Sequence, residues 1–139
     1  MTDSKYNQYI QSKFEMTEGP YEMDKSRIED RVEDNKKGNY ALGHHNKNDK
    51  IEVEYVGRSD HRNDDGLKSR LIEHLDDDKN YDFFMFEYAK DKKEAYEREC
   101  RNFHLLKKKL EENGHSCKQI HPRKPDGTNY KCPVSGCDK

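Results

Sequence analysis

The sequence predicts an α/β fold with a small, mainly antiparallel three-stranded sheet flanked by helices and preceded by a charged N-terminal extension. Three observations predict it. Residues 51–57 alternate between apolar and charged with the period of a strand, residues 82–88 form a short run that is apolar on both faces, and residues 92–112 repeat apolar side chains at helical spacing. The 139 residues leave room for one core and a modest appendage. With 29% hydrophobic and 40% charged residues, that core is small and part of the charged sequence is expected outside it.

Residues 1–37 are mostly polar, with Gly19-Pro20 as a break between weak helical patterns (Tyr6, Tyr9, Ile10 and Phe14; then Ile28 and Val32), and read as the extension. The domain proper is expected over residues 38–112. It opens with a short strand at Asn39–Gly43, a polar turn at His44–Lys50, and a second strand at Ile51–Gly57 in which Ile51, Val53 and Tyr55 share a face opposite Glu52 and Glu54. Asp64 or Asp65 is placed to cap a helix with the stripe Leu67, Leu71, His74 and Leu75, which the acidic run Asp76-Asp77-Asp78 ends. The run from Asp82 to Tyr88, apolar on both faces, predicts a third strand covered on both sides. After Asp91 the spacing of Ala95, Glu99, Phe103, Leu106 and Leu110 predicts a helix over 92–112, stopped by Asn113-Gly114. Residues 113–139 form a basic tail rich in His, Cys, Pro and Gly.

No apolar run approaches the roughly 20 residues that span a bilayer, and the start lacks the apolar segment of a signal peptide, so a cytoplasmic location with no membrane partner is expected. In a reducing compartment Cys100, Cys117, Cys132 and Cys137 read as thiols or metal ligands rather than disulfides. The formal net charge of -2 conceals an uneven distribution: residues 1–88 carry 14 Lys/Arg against 21 Asp/Glu, and residues 89–139 carry 13 against 8. The basic C-terminal part is the candidate phosphate-binding surface.

Two residues do not fit their own helices. Glu99 falls on the line the long helix should bury, where a carboxylate needs a cation, a metal or hydrogen-bond donors to offset desolvation; a structural ion pair, for instance with Arg70, meets that need as well as a metal does. Arg70 lies at the edge of its own apolar stripe, a position that also suits an arginine whose stem packs while its head reaches water. Tyr40 and Tyr55, taken singly, are compatible with ordinary strand core.

In order along the chain, however, these residues resemble a known pattern. Gly38-Asn39-Tyr40 stands where GIY-YIG nuclease domains have Gly-Ile-Tyr, Tyr55-Val56-Gly57 where they have Tyr-Ile-Gly, Leu67 to Leu71 with His74 where they present an arginine, and Glu94 to Glu99 where they present a metal-binding glutamate. The resemblance covers about residues 38–110 and departs from the family at Asn39, usually aliphatic, and in a longer hairpin loop. The family's late asparagine is left unassigned between Asn113 and Asn129.

The resemblance implies a divalent-metal-dependent endonuclease that hydrolyses phosphodiester bonds in nucleic acid, with DNA favoured and RNA left open as the alternative substrate. Glu99 would hold Mg²⁺ or Mn²⁺, Arg70 would bind the scissile phosphate, and Tyr40 or Tyr55 would orient or deprotonate the attacking water. His74 is an auxiliary proton carrier, a phosphate contact or a structural hydrogen-bonding group. Arg58, Lys68, Lys107, Lys108, Arg123 and Lys124 are the candidate nucleic-acid contacts. The alternative is a non-cutting nucleic-acid-binding or protein-interaction module on the same fold.

The tail offers Cys117, His121, Cys132 and Cys137 as ligands for a tetrahedral zinc ion. Their spacing is too loose to favour zinc over free thiols.

Overall fold

The computed structural model describes residues 14–60 and 66–139. In chain order these form strand β1 (Glu18–Glu22), helix α1 (Lys25–Arg31), strands β2 (Gly38–His45) and β3 (Ile51–Ser59), helix α2 (Leu67–Glu73) with a 3₁₀ turn at His74–Asp76, strand β4 (Phe83–Tyr88) and helix α3 (Lys92–Glu112). Strand order across the sheet is β1-β4-β2-β3, and every neighbouring pair is antiparallel. The architecture is α/β with four strands, one more than the sequence predicts. The additional strand comes from the segment expected to be an extension: β1 pairs with β4, and Ile28 of α1 is fully buried. Five residues, three of them partly buried and two exposed, carry too little periodicity to stand out before their partner strand is known. The aromatic pattern at Tyr6, Tyr9 and Ile10 lies outside the described residues.

Strand β4 is covered on both faces because its side chains alternate between two cores. Phe83 and Met85 pack with Ala41, Val56 and Phe103 on the α3 side, whereas Phe84 and Phe86 pack with Tyr40, Leu42, Leu67, Leu71 and Ile28 on the α1 and α2 side. Helix α3 has the predicted bounds. Asp91 is its N-cap and accepts a hydrogen bond from the Glu94 backbone N–H at 2.8 Å, and Asn113 follows its last turn. Helix α2 is capped differently from the expectation. Gly66 occupies its N-cap position with no side-chain hydrogen bond, and Asp64 and Asp65 lie outside the described residues.

Strand β3 is an edge strand, and the tail covers it. Gln119 pairs with the backbone of Val56, donating through Nε2 to the carbonyl at 2.5 Å and accepting from the N–H at 3.2 Å, which satisfies groups an open edge would expose. Residues 115–139 contain no helix or strand, yet Cys132, Tyr130 and Val134 pack against Tyr96 and Cys100 of α3. No helix among the described residues is long and apolar enough to cross a membrane.

Candidate functional site at the sheet edge

The β2–β3 register sets Tyr40 opposite Gly57 and Leu42 opposite Tyr55, so the two tyrosines are diagonal neighbours on the α2 face. Their rings stack at 6.1 Å between centroids. Glycine is required at 57 by close approach: a Cβ there would lie 2.4 Å from Tyr40 Cζ. At Gly38 a Cβ would lie 2.5 Å from the Glu87 carbonyl oxygen of β4. Both triplet glycines thus have packing reasons, independent of any chemistry.

Asn39, the residue out of keeping with an aliphatic position, is fully buried, and both polar atoms of its side chain are hydrogen-bonded. Its amide donates to the Ala95 carbonyl at 2.8 Å, and its oxygen accepts from Arg98 Nη1 at 3.1 Å. Polar groups buried in this way are satisfied, and here they tie β2 to the first turns of α3. The asparagine substitutes a hydrogen-bonded link for an apolar contact.

Past Gly57 the two layers meet at the β3 edge, around a cavity of about 250 Å³ lined by Tyr40, Tyr55, Gly57, Arg58, Asp60, Arg70, Glu99 and Arg123. Four of the five residues singled out as catalytic in the sequence, Tyr40, Tyr55, Arg70 and Glu99, therefore line one space. The fifth, His74, stands directly behind it: its Nε2 shares a 2.8 Å hydrogen bond with the Tyr40 hydroxyl, and its ring lies 5.0 Å from that of Tyr55. No asparagine lines this cavity among the described residues; Asn129 lines the neighbouring cleft, and Asn113 ends α3.

Glu99 is 8% exposed, and its partner is Arg58 rather than Arg70. Arg58 Nη1 donates to Glu99 Oε1 at 2.5 Å, Nε donates to Asp60 Oδ2 at 2.6 Å, and Nη2 donates to the Arg123 carbonyl at 2.5 Å. Its guanidinium also lies 5.3 Å from the centre of the Tyr96 ring. Arg70 instead pairs with Glu73 at 3.1 Å and stays partly exposed at the cavity wall. The helix periodicity located Glu99 correctly but could not name its cation, because Arg58 comes from a strand 41 residues earlier. Asp60 escaped notice in the sequence, where it reads as an ordinary loop residue after a strand.

Burial pushes the Glu99 carboxyl above the ordinary carboxylate range, and the Arg58 charge opposes this only in part. Burial likewise raises Tyr40 well above the usual phenol value, with Tyr55 adding to the shift and Arg70 working against it. Tyr55 is raised for the same first reason, followed by the Glu99 charge. Burial, then Arg70, lowers His74, so its imidazole is neutral at neutral pH. The hydroxyls are thus protonated donors, and the nearby neutral imidazole is the stronger base.

A second, larger cleft of about 910 Å³ adjoins the first and shares Arg123 with it; Lys124, Lys131, Lys139, Tyr96 and Tyr130 also line it. Of the other predicted nucleic-acid contacts, Lys107 and Lys108 are exposed near the end of α3. Lys68 is ion-paired with Asp34 at 2.9 Å.

The proposed tail ligands divide. His121, Cys132 and Cys137 converge, and the fourth member of their group is His104 of α3, with all four donor atoms within 4.8 Å of one another. Cys117 lies elsewhere: its thiol contacts the Gln119 carbonyl at 3.6 Å and packs against the apolar core on the α3 side. His104 was hidden in the sequence because it sits within the long helix, where a lone histidine reads as surface or core.

Comparison of the chain with known protein families, curated proteins and solved structures gave no match.

Proposed function

We propose that the protein is a divalent-metal-dependent endonuclease of the GIY-YIG type, hydrolysing phosphodiester bonds in nucleic acid, DNA in preference to RNA. The observation that carries this reading is the convergence of Tyr40, Tyr55, Arg70 and Glu99 on one small cavity from two strands and two helices. A structural ion pair would need only Glu99 and one cation. It would not need two stacked tyrosines, a tyrosine-bound histidine and a second arginine around the same space.

The donor chemistry suits a hard cation. Glu99 offers carboxylate oxygen, and its raised pKa means that Arg58 leaves part of its buried charge uncompensated, the electrostatic condition a divalent ion relieves. When bound, Mg²⁺ or Mn²⁺ would polarise a phosphoryl oxygen and stabilise the departing one. The chain's own residues do the rest. Arg70, at the cavity wall, binds the scissile phosphate and stabilises charge developing on its oxygens. The exposed Arg123 extends that positive surface toward the Lys124-bearing cleft. A water held by the Tyr40 hydroxyl attacks phosphorus. As it does so, the P–O bond to the leaving sugar oxygen breaks, the water's proton passes to Tyr40 Oη, and the Tyr40 proton passes to His74 Nε2 across the 2.8 Å hydrogen bond; the sugar oxygen leaves with the bonding electrons and takes a proton from solvent. The tyrosine stays neutral throughout, as its raised pKa requires.

The three hydrogen bonds of Arg58 favour a second reading, in which Arg58 and Glu99 form a structural pair in a non-cutting nucleic-acid-binding module. Glu99→Gln separates the two. Gln keeps the shape and much of the hydrogen bonding, and Arg58 retains Asp60. On the nuclease reading, cleavage of supercoiled plasmid, branched DNA or structured RNA in Mg²⁺ or Mn²⁺ falls at least about a hundredfold, with thermal stability unchanged or raised. Arg70→Ala loses comparable activity, and Glu97→Gln does not. An active protein whose Glu99→Gln variant cuts undiminished, or a variant that melts much earlier than the parent, supports the structural pair instead.

A further inference from the structure

We propose that His104, His121, Cys132 and Cys137 form a tetrahedral zinc site that fastens the 113–139 segment to helix α3, holding Arg123 at the rim of the Glu99 cavity. The donors come from three places: a long helix, a stretch without helix or strand, and a loop in which four residues separate the two cysteines. A tetrahedron with Zn–S near 2.3 Å and Zn–N near 2.0 Å has edges of roughly 3.3–3.8 Å. Cys137 Sγ lies 3.4 Å from His121 Nε2, already at that spacing, and all four donors fit within 4.8 Å.

Two further observations point to a ligand rather than to a chance cluster. His121 Nδ1 lies 2.8 Å from the Pro122 carbonyl oxygen, which can only accept, so the proton is on Nδ1 and Nε2 turns its lone pair toward the cysteines. That second contact is the one a metal-binding histidine ordinarily makes. His104 Nε2 is buried without a hydrogen-bond partner, a costly state for an imidazole nitrogen unless a ligand takes it up. All the cysteines are free thiols, so no disulfide does the fastening.

There is also a structural need. Residues 115–139 have no helix or strand, and a stretch that long without regular structure needs a tether to stay packed on a small core. Two thiolates and two imidazoles select zinc over magnesium or calcium, which prefer oxygen. The consequence reaches the cavity: Arg58 Nη2 donates to the Arg123 carbonyl, and Arg123 follows His121 by two residues. A metal at His121 therefore positions a tail residue that contacts the Arg58–Glu99 pair.

The test uses the full chain, purified reduced and without chelator. Elemental analysis is expected to find one zinc per chain, and exchange for Co²⁺ to give the visible bands of a tetrahedral, thiolate-ligated ion. Competition against a chromophoric chelator is expected to show affinity reduced at least about a hundredfold in His104→Ala and in Cys132→Ser, beyond the loss typical of an outer-shell partner. Cys117→Ser should bind as the parent does. Tryptic cleavage after Arg123, whose next residue is Lys124 rather than a proline, should accelerate on zinc removal. A reduced protein that takes up neither Zn²⁺ nor Co²⁺, an octahedral cobalt spectrum, or equal losses in Cys117→Ser and Cys132→Ser overturns the site. The cobalt spectrum of the parent decides even where a variant fails to fold.

Discussion

The sheet-edge cavity and the tail cluster are built on opposite plans. Around the cavity, Tyr40, Tyr55, Arg58, Arg70 and Glu99 stand on strands and helices whose positions two apolar cores already determine. In the tail, His121, Cys132 and Cys137 stand on chain with no regular structure, and only His104 belongs to a framework element. The first group is oriented by the fold; the second, if it binds zinc as proposed, helps to make the fold. Their donors differ accordingly, a carboxylate suited to a hard cation in one and thiolates with imidazoles suited to zinc in the other. Removing a cavity residue should therefore change chemistry more than stability, and removing a tail ligand should do the reverse.

Gly57→Ala breaks the comparison most directly, because it strains the cavity through packing alone. The new Cβ would meet the Tyr40 ring at 2.4 Å, and that ring is held by His74 and Tyr55 and has little room to yield. Overpacking of this kind costs about 1–3 kcal/mol. Chemical denaturation should show that loss, and Tyr40→Phe in the same background should recover only part of it, since removing the hydroxyl at 2.5 Å leaves the ring contacts at 2.4 and 2.9 Å. An unchanged midpoint for Gly57→Ala would mean that the tyrosine cage is looser than the structure shows.

Nucleic-acid affinity sharpens the comparison by asking which region holds the phosphates. Lys107→Glu/Lys108→Glu reverses charge at the exposed end of α3, away from the residues that line the cavity. If these lysines bind phosphates, the slope of log affinity against log salt should flatten by about 0.9 for each duplex phosphate that the variant no longer neutralises. Binding that keeps its full salt slope in this double variant, yet loses it in Arg123→Glu/Lys124→Glu, would place the phosphate track on the tail side of the cavity.

The smallest expected effect is in the pH dependence. His74 has a folded pKa below the ordinary value of about 6.5, so the unfolded chain binds its proton more readily. Stability therefore falls as pH drops below about 6.5 toward the folded value, and is unaffected by this group above it. Glu99 has the opposite dependence. With its folded pKa raised, it costs stability as pH rises through and above the ordinary carboxylate range. Thermal melts from about pH 4 to about pH 8 should show His74→Gln flattening the limb near pH 6 and Glu99→Gln flattening the lower one. A His74→Gln profile parallel to that of the parent would mean that the imidazole is not held neutral by its burial.

Much of the framework is legible in the sequence because its signals are local. The alternation from Ile51 to Tyr55, the two-sided run at Phe83 to Phe86 and the stripe from Ala95 to Leu106 each report the period of their own backbone, and the capping residue Asp91 marks a helix start without reference to anything distant. Burial of Glu99 is legible for the same reason, since a single helix face reveals it. The sequence by itself thus determined two hairpin strands, a covered strand, a 21-residue helix and the candidate residues they carry.

Only the tertiary structure decided who meets whom. That β1 joins the sheet depends on backbone bonds to β4 more than 60 residues away, which no local period encodes. Arg58 displaces Arg70 as the partner of Glu99 because β3 runs alongside α3, and Asn39 is accommodated because Ala95 and Arg98 happen to face it. His104 replaces Cys117 in the donor group because the tail folds back along the helix rather than ending beside it. Each of these outcomes is a long-range contact, whose free energy depends on the closure of a loop and on desolvation at both ends. Periodicity reports which face a residue takes; the identity of its partner is settled only when the layers pack.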